Sequence, residues 1–256
     1  MKYLGGKQRL GKHISPIIKS YYSDQDGYLE PFCGSLGVLK NNVDIPTKIY
    51  ANDYHPDLIQ MWKEVQNKTF VYPENISEEE YNEAKLLKSP NAMKSFIGFG
   101  MSFGGRFFGA YSQKYLGNKK EDFCKEMTNS LKRIEPLIKN VKFTNKDYRQ
   151  LKPKNLLIYC DPPYRQNKYP IKYRTDVKYY DKFDNDEFWD IMRLWSIHNT
   201  VIISETSAPD DFIEIWKMDS HRSAAQSKKT RFKGSSETYN TEKLFIYNKS
   251  IPVDFK

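Results

Sequence analysis

The chain has 256 residues, of which 39% are hydrophobic and 29% charged, a balance that fits a folded globular protein and argues against a disordered one. No run of about 18 apolar residues occurs, and Met1-Lys2-Tyr3-Leu4-Gly5-Gly6-Lys7 lacks the apolar stretch of a leader, so neither a membrane span nor export is expected. The formal net charge of +9 at pH 7 favours a polyanionic partner such as nucleic acid.

The first predicted element is a strand from Tyr28 to Phe32 that runs into a turn containing Gly34 and Gly37, with a helix expected from about Val38. Lys48 to Asp53 reads as a second strand that ends in an acid. A helix from His55 to Val65 follows, with Pro56 in its first turn. Strand, glycine turn, strand and acid together open a Rossmann-like unit.

The middle of the chain has another character. Ser77-Glu78-Glu79-Glu80 is a capped helix start. Gly98 to Tyr111 is rich in glycine and aromatics and predicts no regular amphipathic element. Glu121 to Ile138 predicts a helix disturbed near its end by Pro136. An inserted lobe is therefore expected at 66–140, between α/β segments at 1–65 and 141–256.

The α/β pattern then resumes. Val141 to Thr144 reads as a strand leading to Asp147 and Tyr148. Asn155 to Cys160 is a buried strand stopped by Asp161-Pro162-Pro163-Tyr164. A helix from Asp184 to His198, a strand from Thr200 to Ser204 and a late strand from Glu242 to Asn248 complete the set.

The segment Asp161 to Tyr164 puts a carboxylate, two donor-free carbonyls and a ring at the C-terminal edge of a strand, where open α/β sheets bind ligands. Asp161 and a proline carbonyl can accept the two hydrogens of an exocyclic amine while Tyr164 stacks on its ring. A plain strand-ending turn is the simpler alternative. Gly34 and Gly37 allow close approach to the backbone, Asp53 lies where an acid meets ribose hydroxyls, and Asp147 is a further acceptor. Glu30 would repel a pyrophosphate but suits a cationic amino-acid tail. S-adenosylmethionine fits this set. The chain has no Gly-x-x-x-x-Gly-Lys-[Ser/Thr] loop, which argues against a P-loop nucleotidase. His13, His55, His198 and His221 show no ligand spacing, so no metal is expected. Cys33, Cys124 and Cys160 have no such spacing either, and Cys33 and Cys160 read as apolar fillers in a reducing compartment.

At this point the chain resembles the D12 class of DNA adenine N6-methyltransferases, the Dam-like alpha group, including its phage- and virus-type members. The opening Lys-x-x-Gly-Gly-Lys motif is matched by Lys2, Gly5, Gly6 and Lys7, and the cofactor loop by Glu30, Pro31, Phe32, Gly34 and Gly37. Asn52-Asp53, Asp147-Tyr148 and Asp161-Pro162-Pro163-Tyr164 match the remaining motifs, in family order. The resemblance implies an α/β fold: a Rossmann-like methyltransferase sheet with helices on both faces, plus an inserted, mainly helical target-recognition lobe with a hairpin. It implies S-adenosyl-L-methionine near Tyr3, Lys7, Glu30, Phe32, Gly34, Gly37, Asp53, Asp147 and Tyr148. It also implies an adenine flipped out of double-stranded DNA toward Asp161, Pro162, Pro163 and Tyr164.

Ser102 to Gly109 departs from the hairpin segment of GATC-reading members, so the resemblance does not carry GATC over as the target. Arg106 is the candidate base-edge reader. Lys114, Lys119, Lys120, Lys228, Lys229, Arg231 and Lys233 are candidate phosphate contacts, with a solvated loop as the alternative. A monomer or weak dimer in the bacterial cytoplasm, or acting in a phage- or virus-infected host, is expected, with a restriction–modification role in view. Adenine methylation of RNA and a catalytically silent DNA-binding module are the competing readings. The silent module would be expected to lose Asp161 or the Gly34 turn, and both are present.

Overall fold

The computed structural model describes residues 1–112, 115–116, 119–120, 122–163, 183–221 and 239–250; 115, 116, 119, 120, 220, 221, 239 and 240 are described by their backbone alone. In chain order the elements are α1 (Gly11–Ser20), β1 (Gly27–Glu30), β2 (Lys48–Asn52), α2 (Pro56–Gln66), α3 (Glu78–Ala84) and α4 (Ala92–Gly100). There follow β3 (Tyr115–Leu116), β4 (Lys119–Lys120), α5 (Phe123–Ile134), β5 (Val141–Thr144) and β6 (Leu156–Cys160). The last are α6 (Asn185–His198), β7 (Thr200–Glu205), β8 (Phe212–His221) and β9 (Tyr239–Tyr247).

Seven strands form one sheet in the order β5-β2-β1-β6-β7-β9-β8. The first five are parallel, and β9 runs antiparallel to both β7 and β8. After β1 the chain builds outward through β2 and β5, then returns to place β6 on the other side of β1. The order therefore reverses between β1 and β6. Loops leaving the carboxyl ends of these two strands diverge, and the crevice between them is where such sheets take ligands.

Both faces of the sheet are covered, which is why its strands read as continuous apolar runs. Tyr28, Leu157, Tyr159, Ile202 and Leu244 pack on one face with Ile14 and Ile18 of α1 and with Leu58 and Trp62 of α2. Leu29, Ile158, Cys160, Val201 and Ile203 pack on the other with Phe188, Met192 and Trp195 of α6. The first core continues through Phe96 of α4 into Met127 and Leu131 of α5, so the elements between α2 and β5 pack against the sheet's own helices. Among the described residues, no helix is long and apolar enough to cross a membrane.

Local chemistry explains the helix ends. Pro56 occupies the first turn of α2, where its missing N–H is not needed. Ser77 and Glu80 form a reciprocal capping box at α3. Asp184 caps α6 through the N–H groups of Asp186 and Glu187. The α5 helix ends at Ile134 and tightens into a 3-10 turn, Glu135–Ile138, that contains Pro136. Asp57, buried at the start of α2, accepts from Ser89 Oγ (2.9 Å) and Asn91 N (2.7 Å), which fastens the entry to α4 onto α2.

Three elements differ from the sequence expectation. The helix expected from about Val38 is a single 3-10 turn, Leu39–Asn41. Side chains there take up the carbonyls a helix would use: Asn41 Nδ2 donates to Gly37 O, Asn42 Nδ2 to Val38 O and Ser15 Oγ to Asn41 O. Helix α1 carries Pro16 inside it and was not indicated by the pattern. Strand β8 was not indicated either; its pairing with β9 shifts register between Glu214 and Trp216.

His55 caps α2 by accepting the Leu58 N–H at Nδ1 (3.4 Å), and its ring meets Phe107 edge-on at 4.4 Å. Burial, with the positive charge of Lys94 adding to it, lowers its pKa from 6.5 to about 3. Above pH 6.5 the ring is neutral in both folded and unfolded chains. Between 6.5 and about 3 the unfolded chain takes up a proton that the folded one refuses, so stability falls with pH. Denaturant unfolding at pH 5 instead of pH 7 should show a loss of about 2 kcal/mol from this residue. His55→Asn retains a capping oxygen and should remove most of that slope.

Candidate active site

The loop after β1 is shaped by its backbone. Gly34 adopts φ +46° and Leu36 φ +57°, both in the left-handed region. Such a conformation costs a residue with a side chain about 1–2 kcal/mol, which Gly34 avoids and Leu36 bears. A Cβ on Gly34 would stand 3.2 Å from the Tyr3 ring. Trp62, fully buried in α2, donates its Nε1–H to Gly34 O at 3.0 Å and fixes the turn from behind.

Asp53 closes the turn from the side. Its Oδ2 accepts from Gly34 N and its Oδ1 from His55 N, each at 2.9 Å. Burial lifts the Asp53 carboxyl above the usual range, while the backbone N–H groups of His55 and Gly34 pull the other way. The adjacent Asn52 is fully buried, and both ends of its amide are used. Its Nδ2 donates to Pro31 O (3.0 Å) and Lys146 O (2.9 Å). Its Oδ1 accepts from Thr144 Oγ1 (2.8 Å) and Lys146 N (3.0 Å). One side chain thus ties the loops after β1, β2 and β5 at one edge of the sheet.

Asp147 lies just beyond that tie and caps the 3-10 turn Tyr148–Gln150. Its carboxylate is paired with the Arg149 guanidinium, whose Nη1 also reaches Glu187 Oε2 at 3.1 Å. The pairing holds the Asp147 carboxyl below its ordinary range. Phe32 meets Tyr148 with ring centroids 5.1 Å apart, and both pack on Phe183 and Phe188. An aromatic wall therefore borders the crevice on the α6 side.

Glu30 is buried beneath the turn and accepts from the Tyr28 hydroxyl at 2.6 Å. Asn42 Nδ2 donates to the same hydroxyl at 3.1 Å, and Ser15 Oγ to Asn42 Oδ1 at 2.7 Å. Burial drives the Glu30 carboxyl well above its usual range; the Tyr28 hydrogen bond opposes the shift and the Asp161 charge adds to it.

Asp161 leaves the end of β6 across the crevice. Lys7 Nζ lies 3.2 Å from Asp161 Oδ1 and 3.2 Å from Glu242 Oε1, and the Lys7 side chain is 6% exposed. Burial works to depress the Lys7 ammonium, but the charges of Asp161 and Glu242 outweigh it and hold its pKa above normal. Ser204 Oγ at the end of β7 donates to Glu242 Oε1. Glu205, also buried, is shifted upward by burial and has its backbone neighbour Thr206 N donating to Oε2 at 2.7 Å.

The N-terminal segment joins these parts. Gln8 Nε2 donates to Ser35 O at 2.9 Å, and the backbone of Lys7 lies against Gly37. Tyr3 stacks on Phe99 of α4 (4.9 Å) on its way past Gly34. Leu4 N donates to Gly105 O at 3.1 Å, and a Cβ on Gly105 would stand 2.5 Å from Tyr3 N. Tyr3 and Lys7 therefore link the Gly34 turn, the Asp161 end of β6 and the Gly104–Gly105 turn.

Tyr3, Lys7, Phe32, Gly34, Gly37, Asp53 and Asp161 gather at one edge of the sheet, with Asp147 and Tyr148 at its flank. Pro162 is buried and Pro163 half-buried; Tyr164 lies outside the described residues. Arg106 is half-buried and follows the Gly105 turn. Phe107 and Phe108 are core residues, whereas Phe103 is 72% exposed. Lys119 and Lys120 form one strand of the short hairpin, antiparallel to β3. Lys114, Lys228, Lys229, Arg231 and Lys233 lie outside the described residues.

Glu242, Ser204 and Trp62 were not singled out by sequence reasoning, nor was any role for Asn52. An acid at the head of the apolar run Leu244-Phe245-Ile246 was the available signal for Glu242. Among the described residues, no group of three or more His, Cys, Asp or Glu side chains is arranged to hold a metal ion.

No curated protein matches the chain. The family described as D12 class N6 adenine-specific DNA methyltransferase matches residues 3–97 and 106–240, which takes in every motif residue described above except Lys2. With that coverage and a seven-stranded α/β sheet carrying the motifs at its switch point, the chain belongs to the D12 class of N6 adenine-specific DNA methyltransferases.

Proposed function

We propose that the protein uses S-adenosyl-L-methionine to methylate N6 of an adenine flipped out of double-stranded DNA at a short specific sequence. One observation carries the reading: Asp161 at the end of β6 and the glycine turn after β1 meet across the switch point, bridged by Lys7. The residues present fit the cofactor. The Gly34 turn leaves a cradle that a Cβ would fill, in front of Tyr3. Asp53 is half-buried at the next strand end, where a ribose is met, and Phe32 and Tyr148 give an apolar wall for a flat ring. Glu30 forms the floor beneath the turn, and Asp147, whose carboxyl the Arg149 pairing holds below its ordinary range, is the acid assigned to a cationic tail.

When bound, S-adenosyl-L-methionine supplies an electrophilic methyl group. The rest of the chemistry belongs to the chain. Adenine N6 is a poor nucleophile because its lone pair is spread into the ring. Asp161 and the Pro162 carbonyl accept its two hydrogens, which favours a more tetrahedral nitrogen. Lys7 keeps Asp161 ionised, and so an acceptor on both oxygens. Tyr164, carried over from the family motif, holds the base. Orientation and fixed charge supply the acceleration.

The lobe at 66–140 reads the target, with Arg106 at a base edge. Lys114, Lys119, Lys120, Lys228, Lys229, Arg231 and Lys233 are assigned to phosphates, and the enzyme serves modification within a bacterial or infected cell as a monomer or weak dimer. The continuous packing of α4 on α2 supports a lobe held at fixed distance from the crevice.

Two outcomes test this. Asp161→Asn keeps the shape but loses the charge; methyl transfer to duplex DNA should fall by at least about 10²-fold while S-adenosyl-L-methionine binding by calorimetry persists. Near-normal turnover would refute the site. Arg106→Ala should relax discrimination between cognate and near-cognate duplexes by about 1–3 kcal/mol, with equal loss on all sequences as the contrary result.

A further inference from the structure

The cluster around Lys7 contains one residue for which the reaction so far has no use. Glu242 lies near the start of β9, the antiparallel strand, far in sequence from every family motif above. Its residue is only 9% exposed. It shares the Lys7 ammonium with Asp161 at matching distances of 3.2 Å. Ser204 on β7 holds the same Oε1 oxygen that faces Lys7. Strand β9 pairs with β7 in a fixed register, Ser204 opposite Leu244 and Glu205 opposite Lys243, so the position of Glu242 is set by the sheet.

Two carboxylates compete for one buried ammonium. A carboxylate that alone neutralised Lys7 would draw it in and turn its oxygens toward it. Glu242 draws the ammonium the other way. The balance leaves Lys7 against Oδ1 of Asp161 and fixes the direction of that carboxylate. We propose that Glu242 is a positioning residue for methyl transfer, acting through Lys7 as a counterweight that aims Asp161 at the adenine amine. The proposal rests on the reading of Asp161 as the acid that accepts from N6.

Glu242→Gln is the direct test, because it keeps volume and the Ser204 contact and removes one charge. Lys7 is then drawn toward Asp161 by a full charge and toward position 242 by an amide carbonyl alone. The kcat should fall on the order of 10²-fold, the loss typical of a small misplacement of a reacting group. The Kd for S-adenosyl-L-methionine and the thermal midpoint should stay close to those of the parent.

The decisive comparison repeats the substitution in a Lys7→Met background. There the ammonium is gone, and Glu242 and Asp161 repel each other. Glu242→Gln should then leave kcat unchanged or raise it, reversing its sign, the mark of coupling through Lys7. A purely structural Glu242 would give the same fractional loss in both backgrounds, and that result would overturn the proposal.

If Lys7→Met fails to fold, Glu242→Gln alone decides: a fall in kcat with cofactor binding retained supports the counterweight, and an unchanged kcat or a matching loss of cofactor binding contradicts it. Asp161→Asn, measured alongside, separates the two claims. If it is inactive while Glu242→Gln is normal, the counterweight fails and the acid stands. If Asp161→Asn is itself active, the underlying site reading fails.

Discussion

A lysine ammonium buried between strand ends is the interaction on which the rest of this site depends. The sheet reverses its order between β1 and β6, and the loops there part. The crevice that results draws several carboxylates together: burial raises the Glu30 and Glu205 carboxyls, with the charge of Asp161 adding to it, and Glu242 and Asp161 both contact Lys7. Without a cation such a group would neutralise by taking up protons. The Lys7 ammonium, 3.2 Å from Asp161 Oδ1 and from Glu242 Oε1, offsets that crowding of acids. The segment that delivers Lys7 is anchored by Gln8 on Ser35 and by Leu4 on Gly105.

That segment also couples two parts of the molecule that lie far apart in the sequence. Tyr3 packs between the Gly34 turn and α4, and its backbone is pressed against Gly105, one residue before Arg106. A change at the Gly104–Gly105 turn would therefore be felt through Tyr3 at the Gly34 turn and through Lys7 at Asp161. The distance is a few residues of backbone, and the contacts are close-packed, so small shifts are transmitted rather than absorbed. The glycine–aromatic composition of 98–111 follows from this. Phe107 packs on His55 and Phe99, Phe108 packs on Tyr81, and glycine is present where the N-terminal backbone passes.

Much of this arrangement was legible in the sequence. The runs at Leu156–Cys160 and Thr200–Glu205 are apolar on both faces because both are covered, and their length separates them from helices. Pro56, Ser77 and Pro136 mark helix ends because each acts locally. Residues 39–42 misled because Asn41 and Asn42 take nearby carbonyls with their own side chains and Ser15, distant in sequence, takes Asn41 O and holds the Asn42 amide. Glu242 was illegible for the same reason. Its partners are Lys7, near the other end of the chain, and Ser204 on a neighbouring strand, and no periodicity encodes a three-way contact among them. The motif acids are marked by their strand ends, whereas the pairing of Asp147 with Arg149 depends on the turn Tyr148–Gln150 that brings the two side chains together.

The most direct measurement is incubation of the purified protein with a library of duplex DNA and S-adenosyl-L-methionine carrying a deuterated methyl group. The products would be read by nucleoside mass spectrometry and by sequencing of the modified positions. The expected product is deuterated N6-methyladenine confined to one short motif. Labelled N4-methylcytosine, or no labelled base from folded protein that binds the cofactor, would contradict it.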